Sequence, residues 1–444
     1  MTPEDLSTAL DAAIPQTLAD LADLIAIPSV SSLPEHDADV ERSATWAADK
    51  LRELGAADVV IVAAGGKPAV IAHFPAPEGQ PTVCLYAHHD VQPIGDPDGW
   101  TTPAYQADVR DGRMFGRGAA DDKGGVVAHL AALRAWGGKP PVGVTVFIEG
   151  EEEIGSPSLR ALLDAHRDEL AADAYVITDS GNWEVGVPTF TATLRGVVDC
   201  VVEVRTLDHG VHSGGFGGVV PDALMALSRL LASLHDDAGT VAVAGLSRSQ
   251  APDLDYPLDR LAEETGKLPG VEWIGDGSVV QRIWSSPALS ILGIDTTTVA
   301  AASNTIIPSA RAKVSLRIPP GQDPEAALAA LEAHLRAHAP WGAQVSITDG
   351  SMGHPGVVRL EGPVYDAMVQ AMTDVWGVAP VHAGQGGSIP MVADFQEVFP
   401  DATVLVTAVM DPDSRCHGLD ESVHLGDLRN AALAEALLLA RLTR

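Results

Sequence analysis

The sequence predicts an α/β protein: a domain with a mostly parallel central sheet flanked by helices, interrupted by a second domain of the α+β kind. Three observations predict it. Residues 1 to about 190 alternate short apolar runs with helical stretches, the texture of strand–helix–strand units. From about 192 the pattern switches to the alternation of half-buried antiparallel strands, as in TATLRGVVDCVVEVRT. Around 357 the strand–helix texture returns, so the expected division is 1–191 and 357–444 for the first domain and 192–356 for the insertion. A chain of 444 residues is also too long for one ordinary core.

The elements follow in order. Leu6, Leu10, Ile14, Leu18, Leu21 and Ile25 recur at spacings of three and four, giving an amphipathic first helix that Pro28 ends. VVIVAA, AVIAHF and the buried run TVCLYA read as strands, residues 124–136 as a helix, and VGVTVFIEG as a strand. Ser156-Pro157 has the residue types of a cap and first turn for the helix LRALLDAHRDEL, and AYVIT reads as another buried strand. In the insertion ARAKVSLRIPP alternates again, one helix starts at Pro221 and another covers 324–338. Gly239 to Gly277, rich in Asp, Leu and Pro, shows no readable period. The last part offers the helix PVYDAMVQAMTDVWG, the loop HAGQGGSIP, the strand ATVLVTAVM and the closing helix LRNAALAEALLLARL.

Composition bounds the function classes. A hydrophobic fraction of 46% with regular Gly and Pro punctuation describes a globular chain. No run approaches the length of a membrane span, and the acidic N-terminal stretch MTPEDLSTALDAAIPQ lacks the apolar core of a secretory signal, so the cytoplasm is the expected compartment. A net charge of −32 argues against nucleic acid and anionic lipid as partners. Cys84, Cys200 and Cys416 have no CxxC spacing, so neither a disulfide framework nor a thiolate zinc site is signalled.

Chemistry-bearing residues stand at the polar ends of the apolar runs. His88 and Asp90 follow TVCLYA, Glu152 and Glu153 follow VGVTVFIEG, and Asp179 follows AYVIT; Asp121 lies in GRGAADDKGG and His417 in CHGLDESVHL. Ligands of open α/β sheets gather at the carboxyl ends of the strands. Side chains two apart on a strand share a face, so His88 and Asp90 point into one site while His89 turns aside. Each spot alone has a plainer reading, Glu151 to Glu153 as a solvated loop, or Asp121-Asp122 beside Lys123 as a helix cap with a surface ion pair. Their joint placement favours a two-metal hydrolase. Amide hydrolysis at neutral pH needs a strong nucleophile and a way to hold the charge of the tetrahedral intermediate. Two metals about 3.5–4 Å apart provide both through a shared water. Imidazole and carboxylate donors suit two Zn2+ per subunit, with Mn2+ or Co2+ as substitutes, and one further carboxylate must stay off the metals to move protons. The glycine-rich GGFGG and GQGGS lack the Lys-Ser/Thr that a nucleotide loop requires.

The ordered series HxD, GRGxxDDKGG, EGxEExGS, an Asp in a TDS-type turn, HSGxFGG, NTIIPxxxxxxxLR, GGSIP and a late His resembles the co-catalytic zinc metallopeptidases that include carboxypeptidase G, aminoacylase and the carnosine-type dipeptidases. The resemblance runs from about residue 20 to the C-terminus. It implies a catalytic domain interrupted by a lid domain, and a homodimer formed through the lid. It further implies that Asp121 bridges two metals, that His88 and Asp179 complete one ion, and that Glu153 and His417 complete the other. Glu152 would be the general base, Asp90 would orient His88, and His212 in VHSGGFGG would polarise the scissile carbonyl. Thr305, Arg317 and Ser388 would receive the substrate carboxylate, a role for which a guanidinium fork is apt.

Asp at 179, where many deacylases have Glu, tilts the resemblance toward the dipeptidase branch. Two departures stand out: Gly384-Gln385 precedes GGSIP where the dipeptidase relatives tend to carry Arg-Glu, and the connection from Pro308 to Arg317 is one residue shorter than theirs. Three functions are therefore weighed: a di-zinc dipeptidase acting on small peptides, an N-acyl amino acid deacylase or succinyl-diaminopimelate desuccinylase of the same fold, and a catalytically silent binding protein. Presence of every implied ligand and of Glu152 argues against the third.

Overall fold

The apolar runs assemble into one six-stranded sheet, in the order Asp58–Val62, Ala69–Phe74, Gly143–Glu149, Thr82–His88, Ala174–Ile177, Thr403–Val406. This sheet belongs to the first of two units in the computed structural model, which describes residues 1–387 and 390–443. The first unit comprises Met1–Ala192, Val358–Ala383 and Ile389–Arg444, and the second comprises Thr193–Val357 and Gly384–Ser388.

From Gly143–Glu149 to Thr403–Val406 the neighbouring strands run parallel. The other edge is antiparallel, Asp58–Val62 pairing with Ala69–Phe74 and that strand with Gly143–Glu149. The sheet is therefore mixed, because the short link Ala63 to Pro68 cannot make the crossover of a dozen or more residues that parallel pairing requires. Both faces are covered, which is why the runs are apolar throughout and not alternating. Val83, Leu85, Ala87, Val144, Val146 and Ile148 share one cluster with Leu21, Val127 and Leu433 of the helices Pro3–Ile25, Lys123–Ala135 and Leu425–Arg441. Tyr86, Phe147 and Tyr175 surround Phe395, with ring centroids 5.9, 6.2 and 4.6 Å away.

Two local expectations need correction. Ser156 does not cap a helix: it sits at φ +52, the helix Leu159–Ala165 follows Ser158, and the stretch expected as one helix breaks at His166 before Arg167–Leu170. Glu151 takes over the capping task, its Oε1 accepting the Ser158 N–H at 2.7 Å. HAGQGGSIP is not all loop, since Val381–Gln385 forms a strand.

The second unit holds a four-stranded antiparallel sheet in the order Ala288–Asp295, Ser309–Ile318, Gly196–Arg205, Gln344–Gly353. Val198, Cys200, Val202 and Val204 alternate along Gly196–Arg205 and pack with Leu227 and Leu230 of helix Ala223–Ala232 and with Leu331 and Leu335 of helix Pro324–Ala337. The unreadable stretch after Gly239 contains the helix Leu258–Thr265 and is tied by Arg248 to Asp276 at 2.6 and 3.0 Å. No helix among the described residues is long and apolar enough to cross a membrane.

Candidate metal centre

Three parallel strands deliver their polar ends to one place. Thr82–His88 ends on His88, Gly143–Glu149 leads into the turn Glu152–Ile154, and Ala174–Ile177 stops just short of Asp179. His88 Nε2 lies 3.1 Å from Asp121 Oδ1, 3.8 Å from Asp179 and 3.9 Å from Glu152. His417 Nε2 lies 3.0 Å from Asp121 Oδ2 and 3.1 Å from Glu153. Asp121 thus turns one oxygen toward each imidazole, the posture a shared ligand requires. Donor atoms of Asp121, Glu153 and His417 all fall within 4.8 Å of one another, as do those of His88, Asp122 and Asp179. Asp122 has other work: its oxygens accept the N–H groups of His88 and Gly125, both at 3.2 Å, the latter capping helix Lys123–Ala135. Lys123 beside it makes no surface ion pair; it is fully buried and donates to the carbonyls of Leu24 and Ile27 at 2.9 and 2.7 Å.

Buried partners hold these groups. Asp90 lies 3.3 Å from His88 Nδ1 and accepts the N–H groups of Glu152 and Glu153 at 3.2 and 3.1 Å. His89 turns away and bonds the Pro68 carbonyl at 2.9 Å. Gln92 is a partner not singled out from the sequence, although it continues the alternation of His88 and Asp90; its N–H and side-chain amide reach both Glu153 carboxylate oxygens at 3.1 and 2.9 Å. Glu151, for which a solvated loop was the plainer alternative, is buried and accepts from Ser158 and from the Lys67 N–H. Gly66 permits that approach, because a Cβ there would stand 2.1 Å from the Glu151 carboxylate.

The donor set fits divalent cations. The carboxylates of Asp90, Asp121, Asp122, Glu152, Glu153 and Asp179 converge on the imidazoles of His88 and His417, a charge balance that calls for added positive charge. Burial, then mutual repulsion, pushes the carboxyls of Glu152 and Asp122 well up and raises Glu153. Burial raises Asp179 to about 6 even against the opposing influence of His88. Hydrogen bonding to Asp121 and Glu153 carries His417 up to about 10. Carboxylate and imidazole sites of this kind are neutralised by a metal ion, which inverts the proton affinities of its ligands.

In the second unit His212 pairs with Thr305 across a short antiparallel ladder. The His212 ring is exposed, and its Nδ1 accepts the Gly214 N–H at 3.0 Å, which leaves the ring proton on Nε2 as an outward donor. Arg317 lies on Ser309–Ile318 opposite Val197, and Ser388 lies outside the described residues. Arg195, another residue not singled out, sits two before Val197, the register of a residue sharing Arg317's face. It donates to the Gly386 carbonyl at 3.2 Å, while its buried Nη1 has no hydrogen-bond partner among the described residues. Burial, then the charge of Arg317, lowers its pKa to about 10. Gly384 has no room for a side chain, since a Cβ would meet Trp284 at 2.6 Å.

The model of peptidase family M20/M25/M40 matches residues 84–441. The chain belongs to this family. This M20/M25/M40 peptidase is 37% identical over 425 residues to the cysteinylglycine-S-conjugate dipeptidase of Corynebacterium striatum, covering 94% of this chain and 93% of that one. It is 31% identical over 427 residues to the Beta-Ala-His dipeptidase of Rattus norvegicus, covering 89% and 86%. Its fold matches human carnosine dipeptidase 1 with a TM-score of 0.87 at 26% identity, over 100% of this chain and 99% of that one. The protein is a metal-dependent hydrolase of this family.

Proposed function

We propose that the protein hydrolyses the amide bond of dipeptides or short peptides that carry a free C-terminal carboxylate. One observation carries this reading: Asp121 joins two ligand clusters beside Glu152 in a chain similar over nearly its whole length to a dipeptidase. His88 and Asp179 would hold one ion, Glu153 and His417 the other, and Asp121 both; two Zn2+ suit these donors, with Mn2+ or Co2+ as substitutes. When bound, such ions acidify water and polarise a carbonyl. Glu152 takes the proton from the attacking water and passes it to the leaving amine, a role for a carboxylate whose burial raises its proton affinity. Asp90 fixes the His88 ring through Nδ1. His212 donates a hydrogen bond from Nε2–H to the carbonyl oxygen, and Thr305, Arg317 and Ser388 receive the substrate carboxylate.

We further propose a homodimer formed through the unit Thr193–Val357, which would act as the lid. Support comes from the edge strand Ala288–Asp295, whose Leu292 and Ile294 are 58% and 46% exposed, an open edge suited to pairing. A cytoplasmic location accords with the free thiols of Cys84, Cys200 and Cys416. The test is a turnover panel of dipeptides, C-terminally amidated dipeptides and N-acyl amino acids, with Zn2+ or Mn2+ added. Dipeptide turnover that weakens on amidation is expected, and turnover of N-acyl amino acids alone would overturn the proposal.

A further inference from the structure

We infer that the buried pair Arg117–Glu421 is the positioning element of the second metal position, that of Asp121, Glu153 and His417, and governs its affinity more than that of the first. This inference rests on the proposed metal-binding reading of the two clusters. Both side chains are buried, Arg117 at 1% and Glu421 at 0% exposure, and they meet at 2.6 Å. The Glu421 carboxylate is saturated. Oε2 accepts from Arg117 Nη1 and from the Gly118 N–H at 3.0 Å, and Oε1 accepts the N–H groups of Ala120 and Asp121, each at 3.0 Å. The backbone entering Asp121 is therefore clamped by Glu421.

Arg117 reaches the segment that bears His417 and the segment that braces Glu153. Its Nη2 donates to the Gly418 carbonyl, directly after His417, and to the Pro93 carbonyl, both at 3.1 Å. Pro93 follows Gln92, whose amide holds Glu153. One ion pair thus ties together the three segments that carry or brace Asp121, Glu153 and His417. His417 needs that restraint, because its backbone sits at φ +63, a conformation non-glycine residues rarely hold without support from their surroundings. The partners that fix His88 are different: Asp90 on Nδ1 and Asp122 on its N–H.

The test measures metal affinity, not activity alone. Chelator-competed Co2+ titrations, followed by visible absorption, are run on the parent chain, Glu421→Gln, Glu421→Asp and Arg117→Lys. His88→Ala and His417→Ala supply the signature of each position. Asp20→Asn is the control for burial in general, since Asp20 is equally buried but paired with Lys50 and Arg134. Partners behind metal ligands typically govern about 10–100-fold in affinity. That loss is expected at the position identified by His417→Ala, with a smaller change at the other and none in Asp20→Asn. A parent chain that binds fewer than two ions sinks the metal reading itself. A parent that binds two, with variants that keep both affinities or lose both alike, overturns the role given to Arg117–Glu421. Three graded variants provide folded protein, verified by circular dichroism, should the strongest change prove too disruptive.

Discussion

Removing the Asp90 carboxylate should destabilise the protein and slow its turnover. Asp90 is fully buried and accepts the N–H groups of Glu152 and Glu153 at 3.2 and 3.1 Å, beside His88 Nδ1 at 3.3 Å. Hydrogen bonds to a charged acceptor contribute about 1.5–3 kcal/mol each, so losing the two backbone bonds in Asp90→Ala costs about 3–6 kcal/mol. At about 2–4 °C per kcal/mol for units of this size, the loaded protein should unfold about 6–24 °C lower. The same loss should appear without metal. Burial alone would raise the Asp90 carboxyl, but the neighbouring His88 and its charge hold it below the usual carboxylate range, so the charged form is favoured in the metal-free protein too. Tm should therefore fall in both the loaded and the chelator-stripped variant. Turnover should fall about 10–100-fold, because the His88 ring loses the carboxylate 3.3 Å from Nδ1 and keeps only the main-chain carbonyl of residue 90 at 3.1 Å. Differential scanning calorimetry with and without chelator, together with steady-state kinetics, reads both effects. A loaded Asp90→Ala protein with parental Tm and turnover would refute the role assigned to this carboxylate.

Other outcomes follow from the same geometry. Glu152→Gln should lower turnover by about 10²–10⁴-fold, the usual contribution of a general base, with both ions still found by elemental analysis; departure of the ions would show that Glu152 and Glu153 have exchanged roles. His129 is buried, which by itself lowers its pKa, but the charge and hydrogen bond of Glu435 at 2.9 Å raise it above the ordinary value. A raised folded pKa gives stability that is present in full below about 6.5 and is lost as pH rises through the folded value. His129→Gln should thus lower Tm more near pH 6 than near pH 9, and an equal loss at both would contradict the pairing. In the proposed homodimer, mixing inactive His212→Ala with inactive Glu152→Ala, after dissociation and reassociation, should restore roughly a quarter of parental activity, since half the dimers would be mixed and each would rebuild one site. No recovery in mixed dimers verified by mass would mean that His212 does not act across subunits.

How much of this was legible in the sequence depends on what kind of physical constraint each residue obeys. A strand covered on both faces must stay apolar until it leaves the sheet, so the polar onset at His88, at Glu152 and at Asp179 marks the strand ends without any tertiary information. Strand direction carries no such mark. Ala69–Phe74 is as apolar as the strands of the sheet that pair in parallel, and only the short link from Val62 shows that it turns back. Residue type also misleads where the backbone decides: Ser156 resembles a helix cap, but at φ +52 it cannot act as one, and a carboxylate elsewhere meets the orphan N–H. The supports behind the candidate ligands divide the same way. Gln92 was open to inference, because it continues the two-residue period of His88 and Asp90 onto one face. Glu421 was not, because its bond to the Asp121 N–H joins positions 300 residues apart. A carboxylate that serves buried backbone donors looks, in one dimension, like any acid of a surface loop. Candidate ligands can be found where apolar runs end, whereas the groups that hold them answer to distant backbone atoms and become visible only once the chain is folded.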